Sequence, residues 1–174
     1  RSSLVTGVQT CALPIYLRQI LQHRFGLSSF RSGQAAVIER VIRGKNVAAV
    51  FPTGGGKSLC YQLPSQLLSG TTIVVSPLIA LMKDQCDALA SRGINAVRLD
   101  SSMSTTDFAA AAADIREGRT KLLYVAPERF FNERFLAMMG SLEVSLFAVD
   151  EAHCISQWGR SEEHTSELQS PVTI

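Results

Sequence analysis

Two clusters far apart in the chain carry residue types that could do chemistry together. The stretch Phe51-Pro52-Thr53-Gly54-Gly55-Gly56-Lys57-Ser58 follows the apolar run Val47-Ala48-Ala49-Val50 and precedes a segment able to start a helix. Successive glycines lack Cβ atoms, so their backbone can take positive φ and turn consecutive N–H groups into one concavity suited to phosphate oxygens. The N-terminus of the following helix adds the positive end of its dipole. Lys57 suits the β- and γ-phosphates as a point charge, and the Ser58 hydroxyl suits Mg²⁺. The general spacing G-x-x-x-x-G-K-[ST] is departed from at Phe51, where its first glycine is expected.

The second cluster, Asp150-Glu151, directly follows the apolar run Leu146-Phe147-Ala148-Val149. Two carboxylates at the end of a buried strand are costly unless a cation neutralises them. Asp150, nearer the strand, suits holding Mg²⁺ through its waters. Glu151 suits orienting and deprotonating the water that attacks a γ-phosphate. Gln34, at a helix start, carries a carboxamide able to both accept from and donate to an adenine edge, and the nearby Arg31 can lie over a base plane. Taken alone, a Gln in that position reads more readily as a solvated residue.

Positioning these clusters requires a repeated alternation of strand and helix. Leu17, Ile20 and Leu21 are spaced for a first helix ending at Phe25-Gly26, and Ala35, Val37, Ile38, Val41 and Ile42 for a second that stops at Gly44. After the glycine loop, Ser58 to Leu63 reads as helix until Pro64. Thr71–Val75 is β-rich and closes on Ser76-Pro77; a helix from Leu78 to about Ser91 follows, then a strand at Ala96–Leu99. Ser104 with Asp107 announces the alanine-rich helix that runs to Arg116. Lys121–Val125 is the next strand, Ala126-Pro127-Glu128-Arg129 its exit turn, and Phe130–Met139 is helical in spacing. Counting Val47–Val50 and Leu146–Val149, five apolar strands alternate with helices. That pattern predicts an α/β fold, a parallel sheet with helices on both faces that binds ligands at the carboxyl ends of its strands.

Of 174 residues, 46% are hydrophobic and 18% charged, enough for one well-buried domain. No apolar run approaches the roughly 20 residues that span a bilayer, and the N-terminus lacks the apolar stretch of a signal peptide, so a cytosolic location is expected. Cys11, Cys60, Cys86 and Cys154 include no C-x-x-C pair, which predicts reduced core or helix cysteines and no zinc site. Both ends read as foreign. Val5 to Ile15 resembles one strand of a sequencing-library adapter read as protein, and Arg160 to Ser170 resembles the opposite strand. We therefore expect flanks at 1–15 and 160–174 around a domain at 16–159. Removing Arg1, Arg160, Glu162, Glu163 and Glu167 from the 17 basic and 15 acidic residues leaves +3, too little charge to argue for or against a polyanion partner.

The stretches Phe25–Gln34, Thr53–Ser58, Ser76–Gln85, Ala126–Arg129 and Val149–Gly159 are similar to the successive motifs of RecQ-type DNA helicases. Asp150-Glu151-Ala152-His153 alone is shared by many superfamily-two helicases; Cys154-Ile155-Ser156-Gln157-Trp158-Gly159 narrows the resemblance. It implies a P-loop NTPase (RecA-like) fold, the truncated first helicase domain of a longer motor. It also implies ATP and Mg²⁺ as cofactors, 3′-to-5′ translocation on single-stranded DNA, unwinding at duplex junctions, a part in DNA repair and recombination, and a cytoplasmic (in a eukaryote, nuclear) location without membrane. Carried onto this chain, Arg31, Gln34, Thr53, Gly54, Gly55, Gly56, Lys57 and Ser58 hold the nucleotide, Ser58 and Asp150 the metal, and Lys57, Asp150 and Glu151 serve catalysis. His153 would couple the ATP site to the neighbouring domain. Gln157 shares in DNA contact or coupling, and Trp158 opens the aromatic-rich loop that senses single-stranded DNA by stacking. Leu27 stands where the family commonly has an aromatic, and Ser32 where it has proline. The second RecA-like domain is missing from this chain, so it is expected to bind Mg-nucleotide without unwinding. The alternatives are a superfamily-two RNA helicase and a nucleotide-binding module without turnover.

Overall fold

A computed structural model of the chain describes residues 13–52 and 54–152. Thr53, His153, Gln157 and Trp158 lie outside the described residues, as do residues 1–12 and the rest of 153–174. The element order is α1 (Leu13–Phe25), α2 (Gln34–Ile42), α3 (Leu59–Ser65), β1 (Thr71–Val75), α4 (Ile79–Ala90), β2 (Ala96–Leu99), α5 (Thr105–Arg116), β3 (Leu122–Val125), a 3₁₀ turn (Pro127–Phe131), α6 (Glu133–Gly140) and β4 (Val144–Val149).

The strands form one parallel sheet in the order β2-β3-β1-β4. Alternate residues of each strand enter opposite cores. Val74, Leu122, Tyr124 and Ala148 face α1 to α4, against Leu21, Ile38, Leu63 and Met82. Ile73, Val75, Leu123 and Val125 face α5 and the α6 side, against Ile115 and Phe135. Helices therefore cover both faces, as the apolar runs required. Local chemistry sets several helix starts. The Ser104 side chain accepts from Asp107 N–H at the head of α5, and the Asn132 side chain accepts from Phe135 N–H at the head of α6.

The structure corrects the reading of the sequence in four places. The described residues form four strands, and Val47–Val50 is not among them; Val50 is 98% exposed. Its two central alanines offer little side-chain area to hold a strand against the sheet. Pro64 does not stop the helix after the glycine loop but lies inside α3, one residue before its end. The segment after Ala126 winds first as a 3₁₀ turn, so α6 begins at Glu133 rather than Phe130. At the other end, α1 takes in Leu13, Pro14 and Ile15, with Leu13 packed on the core.

Candidate functional site

The four strands finish level. Val75 pairs with both Val125 and Val149, and Val125 pairs with Leu99. The next residues continue the row: Ser76 N–H donates to Val125 O (3.1 Å), Ala126 N–H to Leu99 O (3.1 Å) and Asp150 N–H to Val75 O (2.9 Å). Polar groups from distant parts of the chain thus leave the sheet along one rim, the carboxyl edge where open parallel sheets carry ligands.

The glycine loop stands beside Asp150 and Glu151. Gly54 and Gly56 have φ of +74° and +76°, values that side chains rarely adopt. Gly55 is restricted by space, since a Cβ there would lie 2.8 Å from Pro52 O. Gln34, only 2% exposed, accepts from Arg31 N–H (2.8 Å) and donates through Nε2 to Gly56 O (3.0 Å) and, at 3.4 Å, to Gly55 O. The Arg31 guanidinium bonds Gly54 O. This pair therefore braces the carbonyl side of the loop, an occupation different from the adenine contact suggested by residue type. In a trans peptide the N–H points opposite to the carbonyl before it, so the amides of Gly56 and Lys57 point away from Gln34. They lie ahead of the turn's first backbone bonds, Leu59 N–H to Gly56 O and Cys60 N–H to Lys57 O. Leu27, in the segment leading to Arg31, is exposed.

Lys57 and the acid pair meet directly. Lys57 Nζ lies 2.7 Å from Glu151 Oε1, and this hydrogen bond raises the ammonium's pKa above its ordinary value while partial burial opposes the shift. Asp150 is 7% exposed. Its Oδ1 accepts from Glu151 N–H (3.0 Å) and its Oδ2 from the Tyr61 hydroxyl (3.1 Å). Burial holds the Tyr61 hydroxyl well above its usual titration range, with Tyr124 and Asp150 adding to the effect, so it remains a donor. Glu151 has φ of +54°, a left-handed conformation costing a non-glycine residue roughly 1–3 kcal/mol, which turns its carboxylate towards the loop. Val50, Phe51, Lys57, Tyr61, Asp150 and Glu151 line a cavity of about 240 Å³.

The donor set fits a metal-bound polyphosphate. A carboxylate and a hydroxyl, from Asp150 and Ser58, are hard oxygen ligands of the kind Mg²⁺ takes; one cationic side chain and outward amides suit phosphate. Tyr61 was not singled out from the sequence. The available signal was its place three residues after Ser58, a polar-tipped ring beside Gln62 in the otherwise apolar stretch Leu59 to Leu63.

Comparison with known proteins bears on the family and the fold. Residues 31–171 match the family described as DEAD/DEAH box helicase. The chain is 48% identical over 143 residues to the ATP-dependent DNA helicase RecQ of Bacillus subtilis, covering 82% of this chain and 24% of that protein. It is 46% identical over 140 residues to its namesake from Pasteurella multocida, covering 80% and 22%. The chain thus spans about a quarter of the length of these relatives. A crystal structure of a hypothetical ATP-dependent RNA helicase from Sulfolobus tokodaii superposes with a TM-score of 0.64 at 21% identity over 82% of this chain and 43% of its own, a likeness of fold.

Proposed function

Since the chain belongs to the DEAD/DEAH box helicase family, we propose that it is the ATP-binding first motor domain of a RecQ-like 3′-to-5′ DNA helicase. In the longer parent, ATP hydrolysis would drive movement along single-stranded DNA and unwinding at duplex junctions, in the cytoplasm of a bacterium or the nucleus of a eukaryote. No helix among the described residues is long and apolar enough to cross a membrane. The observation that carries the reading is the meeting of Lys57, the glycine loop and the Asp150-Glu151 pair at one sheet edge.

In this reading the Gly56 and Lys57 amides receive phosphate oxygens, and Lys57 Nζ exchanges Glu151 for the β- and γ-phosphates. Ser58 and Asp150 would hold Mg²⁺, which when bound would neutralise charge on the phosphates. Glu151, relieved of Lys57, orients the attacking water and accepts its proton at the carboxylate. Gln34 and Arg31 reach the base only by giving up their bonds to the loop. Thr53 is assigned to the nucleotide on the strength of the motif alone. His153, Gln157 and Trp158 are assigned to coupling and DNA contact on the strength of the motif alone. A second RecA-like half would supply the arginine that related phosphoryl-transfer systems use for rate enhancements of roughly 10³–10⁵. The 174 residues by themselves are therefore expected to bind Mg-nucleotide and not to unwind DNA.

Calorimetric titration of ATP with Mg²⁺ into the chain and its Lys57→Ala variant tests this. Binding by the first and none by the second is expected. Equal affinities, or robust unwinding by the isolated chain, would overturn the proposal.

A further inference from the structure

A buried cluster behind Asp150 has no part in the function so far described. Tyr61 and Gln62 are neighbours on α3, and both side chains point into the interior. Tyr61 is 1% exposed and sits edge-on to Tyr124 of β3, with centroids 6.3 Å apart and planes at 73°. Gln62 Nε2 donates to the Tyr124 hydroxyl (3.2 Å) and to Oε1 of Gln85 on α4 (2.6 Å). Gln85 closes the Ser76–Gln85 stretch, to which no chemistry was assigned. From α4 to the carboxylate of Asp150 there is thus a run of packed and hydrogen-bonded polar groups in an otherwise apolar core.

We infer that Tyr61 is a positioning residue for Asp150: its ring packs edge-on against Tyr124, whose hydroxyl Gln62 holds with Gln85 behind it, and this keeps the Tyr61 hydroxyl where it fixes the carboxylate in the orientation that receives the metal. The inference rests on the nucleotide-site reading above. Asp150 has two oxygens to satisfy in a nearly dry place, and among the described residues the donors on them are one each, the Glu151 amide and the Tyr61 hydroxyl. The amide belongs to a strained residue of the chain's own turn, and it can hold one oxygen but not the rotation of the group about χ2. The hydroxyl is the second point, and it comes from a ring that packing prevents from swinging. A phenylalanine would fill the same space and withdraw the hydroxyl, with its bond to Asp150 and its side-chain interactions with Ser58 and Tyr124.

The test is nucleotide binding by the full 174-residue chain, followed by fluorescence of an N-methylanthraniloyl-ATP probe with Mg²⁺ and with EDTA. In Tyr61→Phe the affinity gained from Mg²⁺ should fall about tenfold, as expected on losing a hydrogen bond to a charged acceptor, with EDTA affinity within about twofold of wild type. In an Asp150→Asn background the same substitution should have no further effect on the Mg²⁺ gain, because its route runs through that carboxylate. Gln85→Leu, at the half-buried end of the cluster, should lower the gain in the same direction, and it carries the test should Tyr61→Phe fail to fold. An unchanged Mg²⁺ gain, an equal loss in both buffers, or an undiminished effect in the Asp150→Asn background overturns the inference while leaving the nucleotide site standing. A wild-type chain that binds the probe in neither buffer overturns both.

Discussion

Lys57 and Glu151, 94 positions apart, are joined by a 2.7 Å ion pair in the cavity we propose for the triphosphate. The cation that should meet phosphate is already paired, so nucleotide must displace a carboxylate to enter. Glu151→Gln removes this competitor. Nucleotide affinity should then rise about two- to fivefold, corresponding to the roughly 0.5–1 kcal/mol that a partly exposed pair contributes. Turnover in the parent helicase should be lost, because an amide accepts no proton. Titration of the wild-type and Glu151→Gln chains at low and high salt checks this, and the difference should shrink as salt screens the pair.

The glycines divide into two classes that alanine substitution separates. At Gly56 a Cβ would lie 2.6 Å from Gln34 Nε2, the far end of a side chain that can move, and φ is +76°. Gly56→Ala should therefore cost about 1–2 kcal/mol for the left-handed residue and roughly 1–3 kcal/mol more for the displaced Gln34 bonds, and abolish nucleotide binding by undoing the loop's brace. At Gly70, φ is +79° and a Cβ would lie 2.2 Å from the backbone oxygen of Glu143, which also accepts from Thr71 N–H at 2.8 Å. Nothing there can give without parting β1 from β4. Gly70→Ala should cost about 3 kcal/mol or more, seen as a large drop in the denaturant midpoint.

What was legible in the sequence was local or periodic. Ser104 announced α5 because its side chain needs only Asp107, three residues on, and the strands β1 to β4 showed as apolar runs because both faces of a parallel sheet are buried. The gathering of Ser76, Ala126 and Asp150 on one rim followed from strand direction alone. The Tyr61 to Asp150 contact was not legible, since it depends on how α3 is rotated over the sheet. Gln34 was readable as a polar residue at a helix start, but its bonds to Gly55 and Gly56 depend on the loop folding back over it. Val47–Val50 misled for a related reason: an apolar run shows that a segment can be buried, not that it finds a partner strand.

The described cysteines should behave as core residues. Burial pushes the thiols of Cys60 and Cys86 up to about 12, so at pH 8 only about one molecule in ten thousand carries a reactive thiolate at either position. Iodoacetamide treatment of the native chain followed by peptide mass mapping should leave both unmodified, and mild denaturant should release them. Rapid native labelling of Cys60 would mean that α3 detaches from the sheet on the labelling timescale.

Asp100, which follows β2 as Asp150 follows β4, should control the acid limb of stability. It is fully buried, and burial alone would raise its pKa; hydrogen bonds from the Ser102 hydroxyl (2.6 Å) and Ser102 N–H (2.8 Å), with the Arg98 guanidinium, outweigh burial and lower it below 3.8. A carboxylate with a lowered folded pKa adds stability that is complete above its unfolded value and is lost as pH falls through the folded one. Lys57 has the opposite sign, since its raised pKa adds stability below 10.5 that disappears as pH rises through the folded value. Ser102→Ala removes one donor and leaves the amide and Arg98 in place. It should lower stability at pH 7 by about 1–2 kcal/mol and move the acid unfolding midpoint upward, with the alkaline limb unchanged. Circular dichroism melts across the pH range would show this, and a uniform loss at every pH would mean that Ser102 acts through packing of the β2–α5 loop instead.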